Sequence, residues 1–456
     1  MAATGPVSSQ TLYRTLWRWH FYAGLFVLPF VITLSVSGAL YLFKPQIDHW
    51  EERAFHDLPV AAPVTPRQQA QAALDAHAGA VLLDYRLPEH AGDAAMVRLA
   101  LPQGQGLREV FVAPQGRVLA SLVPEERTMA VVKRLHSELL VGGVAGNRLV
   151  ELAASWAIVL LVSGLYLWWP RGRGLAGVLW PRRQSGTRVF WRDLHAVTGF
   201  WISGLALVLL LTGLPWTGVW GGAFQSLRTE MGWVKGGPAW DIGGQPAQAV
   251  IPTPEHHGGM MNHSTDAGSY SLDGLDVMVA KARAERLAFP AIVTVPGGPG
   301  RFDQPGEWVW TLRSDALNTP LQQLIRFDAG AGQELSRERF QDGHVIDRIV
   351  GYGIAWHQGQ LFGWMNQLIG VLTALGLVTL ATSGFMLWRR RKPEKSLGAP
   401  RVEGESPARI VVAILLVCAL LLPLLAASLV LVVLLERLVL PRLPRLADWL
   451  GVPVRP

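Results

Sequence analysis

Five apolar runs, each about as long as the 20 residues an α-helix needs to cross a bilayer, constrain this chain more than any other feature. They fall at about 19–43, 149–169, 196–220, 364–388 and 409–435. Only 16% of the residues are charged, which is poor for a soluble protein, and many of the 19 tryptophans stand at the ends of the runs, as in the aromatic belts of membrane proteins. The chain therefore reads as an α-helical integral membrane protein whose first partner is the lipid bilayer. A net charge of +7 would hint at nucleic acid in a soluble chain. Here the arginines cluster beside the runs, where orientation and lipid headgroups account for them, so no nucleic acid partner is expected. The lone cysteine, Cys418, lies inside an apolar run. That excludes intramolecular disulfides, cysteine-ligated iron–sulfur clusters and a CxxCH haem attachment. No signal-peptide cleavage pattern precedes the first run, which predicts that it is retained as an anchor.

Short connectors rich in Lys and Arg stay in the cytoplasm. The tail 1–18 (Arg14, Arg18), the connector 170–195 (Arg171, Arg173, Arg182, Arg183, Arg188, Arg192) and the connector 389–408, which opens on Arg389, Arg390, Arg391 and Lys392, are all of this kind. The N-terminus is thus expected inside, and the two long polar segments, 44–135 and 221–356, outside, in the periplasm of a bacterium with the chain in its inner membrane. The fifth run contains Pro423 but is expected to cross once, because the two legs of a hairpin would be too short. The tail 436–456 would then be an amphipathic stretch on the outer headgroups.

The chain also repeats itself. Each external segment opens on a helix-like stretch, Pro66–His77 or Leu272–Leu287, and closes on a strand–turn–strand pattern, EVFVAPQGRVLASL or LIRFDAGAGQELSRE. The first and third runs place His20, Gly24 and Gly38 at the same spacing as His195, Gly199 and Gly213. The returning runs share an ending, Ser163-Gly-Leu-Tyr-Leu-Trp168 and Ser383-Gly-Phe-Met-Leu-Trp388. A duplicated two-span unit, giving a four-helix core with two external α+β modules and a fifth span, is the predicted architecture.

Four of the twelve histidines fall at equivalent points of this repeat. His20 and His195 mark the inner ends of the first and third spans, while His136 and His357 precede the second and fourth on the outer side. The chemistry this suits is two b-type haems, each with two axial imidazoles, because filling both axial positions favours electron transfer. Gly24 and Gly199 lie one turn from their histidines on the same helix face, where a missing side chain clears room for a flat macrocycle. A histidine at a helix end can instead be a mere polar tip at the interface; the matched spacing is what favours ligands. His136 lies too far before Trp169 for one helix, so a break at Gly142, Gly143 or Gly146 is expected, with Gly359 and Gly363 serving after His357.

The motifs WRWHFYAGLFV, RLHSELLVG, WRDLHAVTGFW and AWHQGQLFGW, each followed by its span, resemble the PepSY-associated transmembrane family of bacterial inner-membrane proteins, which includes iron-regulated ferric-siderophore reductases. The resemblance covers about residues 12–392 and makes the external segments PepSY-like modules. It implies that His20, His136, His195 and His357 are the haem ligands and that a ferric chelate is reduced on the periplasmic side.

Other signals remain. His256, His257, Met260, Met261 and His263 form a soft-to-borderline donor set in a glycine-rich loop, suited to copper, or a solvated loop with a chance bias. His344 rivals His357 as an outer ligand, whereas His49, His56, His77 and His90 read as ordinary residues of the external segments. No flavin or nicotinamide domain is present, so electrons would come from a separate donor, a quinol or a cytoplasmic flavoprotein. No catalytic residue is assigned. The leading expectation is a dihaem, haem-dependent metalloreductase; the alternative is a non-enzymatic membrane protein whose modules bind a partner or metal, for copper handling or protease inhibition.

Overall fold

The computed structural model describes residues 9–170, 176–182, 186–234, 272–298, 308–330, 332–399 and 419–452, with a few between 413 and 417. Among the described residues, five helices are long and apolar enough to cross a membrane: Leu12–Tyr41, Gly143–Trp168, Thr187–Trp216, Trp364–Arg391 and Pro423–Arg442. Four pack as a bundle, α1 (Ser9–Tyr41), α5 (Gly143–Trp168), α6 (Thr187–Gly213) and α10 (Trp364–Arg391). The Arg-rich connectors mark one end of this bundle, called inner below, and the β-sheet lies beyond the other.

Between α1 and α5 come α2 (Lys44–Glu51), α3 (Pro66–Asp75), strands β1 (Val81–Arg86), β2 (Ala95–Ala100), β3 (Leu107–Val112) and β4 (Val118–Leu122), then α4 (Thr128–Glu138). Between α6 and α10 come α7 (Gly218–Glu230), α8 (Asp273–Ala284), β5 (Ala291–Thr294), β6 (Val309–Ser314), β7 (Gln323–Asp328), β8 (Glu334–Arg339) and α9 (Val345–His357). The helix, four-strand meander and helix order therefore recurs. Sequence supplies the boundaries: Thr65 and Gln68 form a capping box at the start of α3, with Pro66 at the first helical position.

The two polar segments do not make two separate modules, as expected from the sequence. All eight strands join one antiparallel sheet in the order β4-β3-β2-β1-β5-β6-β7-β8. The halves meet where β1 pairs with β5, Asp84 opposite Thr294, Tyr85 opposite Val293 and Arg86 opposite Ile292. The reason is an edge: each four-strand half would expose an open edge at β1 or β5, and pairing the two removes both, leaving β4 and β8 as the edges of the joint sheet. Helices α3 and α8 cover one face together, and Leu82, Tyr85, Val97, Leu275, Met278, Val293, Leu312 and Ile325 make a single core beneath them. The Arg67 N–H donates to Asp276, tying the two helices.

The fifth helix corrects a second expectation. The apolar run 409–435 is not one helix, because Leu422 leaves the helical region (φ −130°, ψ 88°) and Pro423 starts a new one, α11 (Pro423–Leu434). The span continues through residues first assigned to the tail, as far as Arg442. Its start lies at the outer end, where the Trp220 indole N–H donates to the Leu421 carbonyl (3.0 Å). The terminal helix α12 (Pro444–Leu450) lies at the inner end, where Arg18 donates to the Gly451 carbonyl (2.9 Å) and the Leu397 N–H to the Trp449 carbonyl (2.8 Å). The tail thus sits beside the amino-terminal part of α1, not beyond the outer surface.

Candidate functional site

Each pair of α4/α5 and α9/α10 is a helix that stops, turns and starts again. After α4 the chain passes through Leu139 and Leu140 with positive φ, and α5 begins at Gly143. Gly146 permits the turn: a Cβ there would stand 2.0 Å from the Glu138 carbonyl oxygen, so any side chain would push the two helices apart. After α9, Gly359 and Gly363 take φ of +73° and +58°, and α10 begins at Trp364. These breaks fold His136 and His357 back onto the outer ends of α1 and α6.

The four histidines meet in two pairs. The rings of His20 and His195 lie 6.3 Å apart between centroids at 87°, and those of His136 and His357 lie 6.3 Å apart at 64°. From His20 to Gly38, the glycine against which His136 packs, is 18 residues of α1, or about 27 Å of helix. The pairs therefore stand near opposite ends of the bundle.

Every one of the four rings is held in the same way, by a Ser-Gly or Thr-Gly step on a neighbouring helix. His20 Nδ1 lies 2.9 Å from Ser163 Oγ, His195 Nδ1 3.1 Å from Ser383 Oγ, His136 Nδ1 3.1 Å from Ser37 Oγ, and His357 Nδ1 3.2 Å from Thr212 Oγ1. The hydroxyls donate to carbonyls within their own helices: Ser163 to Leu160, Ser383 to Thr379, Ser37 to Thr33 and Thr212 to Val208. Each hydroxyl has one proton and has spent it, so it accepts from the imidazole, which fixes the Nδ1–H tautomer. Carbonyl oxygens of Leu380 and Leu209 add a second acceptor for His195 and His357. Each Nε2 is left with its lone pair and, among the described residues, without a hydrogen-bond partner. This is the arrangement of a metal-ligating histidine whose other nitrogen is oriented by an outer partner.

The glycine of each step makes the approach possible. A Cβ on Gly38 would stand 2.9 Å from His136 Cε1, on Gly213 3.1 Å from His357, on Gly164 3.2 Å from His20 and on Gly384 3.3 Å from His195. All four are tighter than ordinary carbon contacts. Gly24 and Gly199 behave differently. A Cβ there would meet only leucine side chains, Leu160 at 4.0 Å and Leu380 at 3.4 Å. Both instead line a cavity of about 1690 Å³ that runs through the bundle and is bordered by all four histidines. A drug-sized ligand occupies a pocket of roughly 300–1,000 Å³, so this space accommodates more than one. Its walls are chiefly apolar, from Leu25, Val31, Leu34, Leu161, Leu209 and Leu377.

Among the described residues no group of three or more His, Cys, Asp or Glu is placed to hold a metal ion. The protein offers each site two imidazoles, so a metal bound there must bring its remaining ligands with it. An imidazole–metal bond is about 2 Å, and the 6.3 Å between the ring centroids of each pair leaves room for a metal between the two imidazoles.

The other sequence candidates fall elsewhere. His344 is the N-cap of α9, its Nδ1 accepting from the Ile346 N–H (3.3 Å), and it stacks with Trp233 and does not line the cavity. His49 and His56 stack on each other at 4.4 Å, and both His56 and His90 bond Asp93. His77 bonds Ser121. The loop with His256, His257, Met260, Met261 and His263 lies outside the described residues. Two residues were missed: Asn147 and Glu151, buried on α5, accept from the N–H groups of Gly218, Val219 and Trp220 and so cap α7. That fixes the turn carrying Trp216, whose ring meets His357 edge-on at 5.5 Å. A lone glutamate inside an apolar run was the available signal.

No curated protein matches the chain. Residues 17–391, which hold the bundle helices, the sheet and all four histidines, match the PepSY-associated TM region, and the chain belongs to that family of membrane proteins.

Proposed function

We propose that the protein is a dihaem transmembrane electron-transfer protein, acting as a haem-dependent reductase of a ferric siderophore or another metal chelate. One b-type haem would be held by His20 and His195, the other by His136 and His357. The observation that carries this reading is the geometry of the pairs: four imidazoles with Nδ1 anchored and Nε2 free, facing one another two by two across one apolar cavity. A haem held between two imidazoles would supply one-electron transfer. The chain's own residues do the rest. Ser163, Ser383, Ser37 and Thr212 hold the rings in one tautomer, Gly24 and Gly199 leave the cavity wall flat beside the inner pair, and the leucines keep water from the sites.

Two sites near opposite ends of the bundle divide a hydrocarbon thickness of about 30 Å into shorter steps. The recurring order of elements supports an origin by duplication, which accounts for one histidine pair at each end. The Arg-rich inner end supports a cytoplasmic placement, which puts the sheet in the periplasm of a bacterial inner membrane. Electrons would then enter at the His20–His195 site from a quinol or a cytoplasmic flavoprotein and leave at the His136–His357 site toward the chelate. The test is a reduced-minus-oxidised absorption spectrum of the purified protein. Bands of low-spin b-type haem are expected; a protein that purifies folded and without haem would end the proposal.

A further inference from the structure

The inner end of the cavity carries positive charge that the described residues do not balance. Arg14, Arg188, Arg192, Arg390 and Arg391 line it, together with Trp17, Trp168 and Trp388. Among the described residues only two carboxylates border the cavity, Glu138 and Asp193. Glu138 follows His136 at the other end, and Asp193 is already taken by Arg182 (2.7 Å) and Arg192 (2.9 Å). Among the described residues no carboxylate pairs with Arg14, Arg188, Arg390 or Arg391. Arg391 is half-buried nonetheless, its guanidinium over the rings of Trp17 (4.8 Å) and Phe21 (5.6 Å).

The placement of these cations follows the histidines. Arg188 precedes His195 by seven residues on α6, and Arg391 follows Gly384, the glycine under His195, by seven on α10. Seven residues is close to two helical turns, so each arginine shares its helix face with the histidine site and stands about 10 Å toward the inner end. Topology alone asks only that arginines stand near a span's end; Arg18 and Arg389 do so without lining the cavity. A group that fits this space has an apolar body beside the imidazoles and two negative charges at its inner edge.

We infer that Arg188 and Arg391, with Arg14 and Arg390 at the rim, bind the two carboxylates of the inner haem and so fix which way round it sits. Guanidinium forks suit carboxylates, and like charges gathered at one mouth are relieved when an anion enters. The inference rests on the haem reading above. The outer site differs: its end of the cavity carries one lysine, Lys133, and the acidic Glu138. Dependence on carboxylate charge therefore belongs to the inner site.

The experiment measures binding in the full chain, purified in detergent. His357→Ala leaves the inner site alone and His195→Ala the outer, and each is titrated with haem and with its dimethyl ester, which keeps the macrocycle but lacks the charges. At the inner site, methylation is expected to weaken binding at least tenfold, and Arg188→Gln with Arg391→Gln to do the same for unmodified haem. Arg389→Gln should leave affinity unchanged, and the outer site should respond less to methylation. Equal affinity of the inner site for haem and ester overturns the inference, and it would also be the result if the arginines hold lipid phosphates instead. The ester arm uses no arginine variant, so misfolding of the double variant does not spare the idea. Absence of haem from the unmutated protein would instead remove the reading beneath it.

Discussion

At the scale of single residues, the site is a set of four hydroxyl–glycine steps that receive four imidazoles. Ser163→Ala removes the acceptor that orients the His20 ring without touching the ring itself. Loss of such an outer partner typically costs about 10–100-fold in metal affinity, so haem retention at the inner site should fall by that order while the outer site is unaffected. The glycines make an opposed pair of predictions in thermal unfolding of the cofactor-free protein. Gly38→Val drives a side chain into His136 and should cost about 1–3 kcal/mol, whereas Gly24→Ala meets only Leu160 at 4.0 Å and should cost little. The histidines were legible because they recur at matched depths in the sequence. Their anchors were harder to see, since Ser-Gly in a membrane helix ordinarily reads as a packing feature. What separates the two meanings is which ring crosses the step, and only the fold supplies that.

At the scale of elements, α4 is the piece that must be held for the outer pair to form. Its first turn is tied to α2: the Thr128 N–H and hydroxyl donate to Glu51, and Arg127, just before the helix, pairs with Glu51 (3.0 Å), Glu52 (2.7 Å) and Glu109 (3.1 Å). Burial would raise the Glu52 carboxyl, but Arg86 and Arg127 outweigh it and hold its pKa below the usual value; Glu51 is lowered too, its burial outweighed by Thr128 and Arg127. A carboxylate with a lowered pKa stabilises the fold at pH values above its unfolded pKa, here near 4.5, and loses that contribution as the pH falls through the folded value. The outer site should therefore loosen before the inner one as the pH drops below about 4.5, followed by haem spectra in His195→Ala and His357→Ala proteins titrated side by side. Helix breaks after His136 and His357 were legible from their glycines. The fifth run reads as a single crossing because its length rules out two full legs, and that argument passes over Pro423, a residue at home at a helix start.

At the scale of the whole molecule, the chain is a four-helix bundle under a single eight-stranded sheet, with a fifth helix returning to the end where the chain began. Hydropathy showed the bundle, but it does not show which strand edge pairs with which, and so two polar segments read as two modules. The β1–β5 join is a contact between residues some two hundred positions apart in sequence, invisible to local patterns. The position of the C-terminus also changes the charge pattern. Arg442 and Arg445, assigned to the outer surface when the fifth run was taken as one span, now stand at the Arg-rich end. With Cys418→Ser as background, a membrane-impermeant thiol reagent should reach Val452→Cys and Arg389→Cys from the same side, and Gln115→Cys from the other.

The central claim is that each end of the bundle holds one haem between two histidines from different halves of the chain. Counting haem per polypeptide in the purified protein, by absorption after extraction alongside the reduced-minus-oxidised spectrum, tests it most directly. The account predicts two per chain in the unmutated protein, one in His20→Ala and in His136→Ala, and none in the double variant. A folded protein with no haem, or a His20→Ala protein that still holds two, would contradict it.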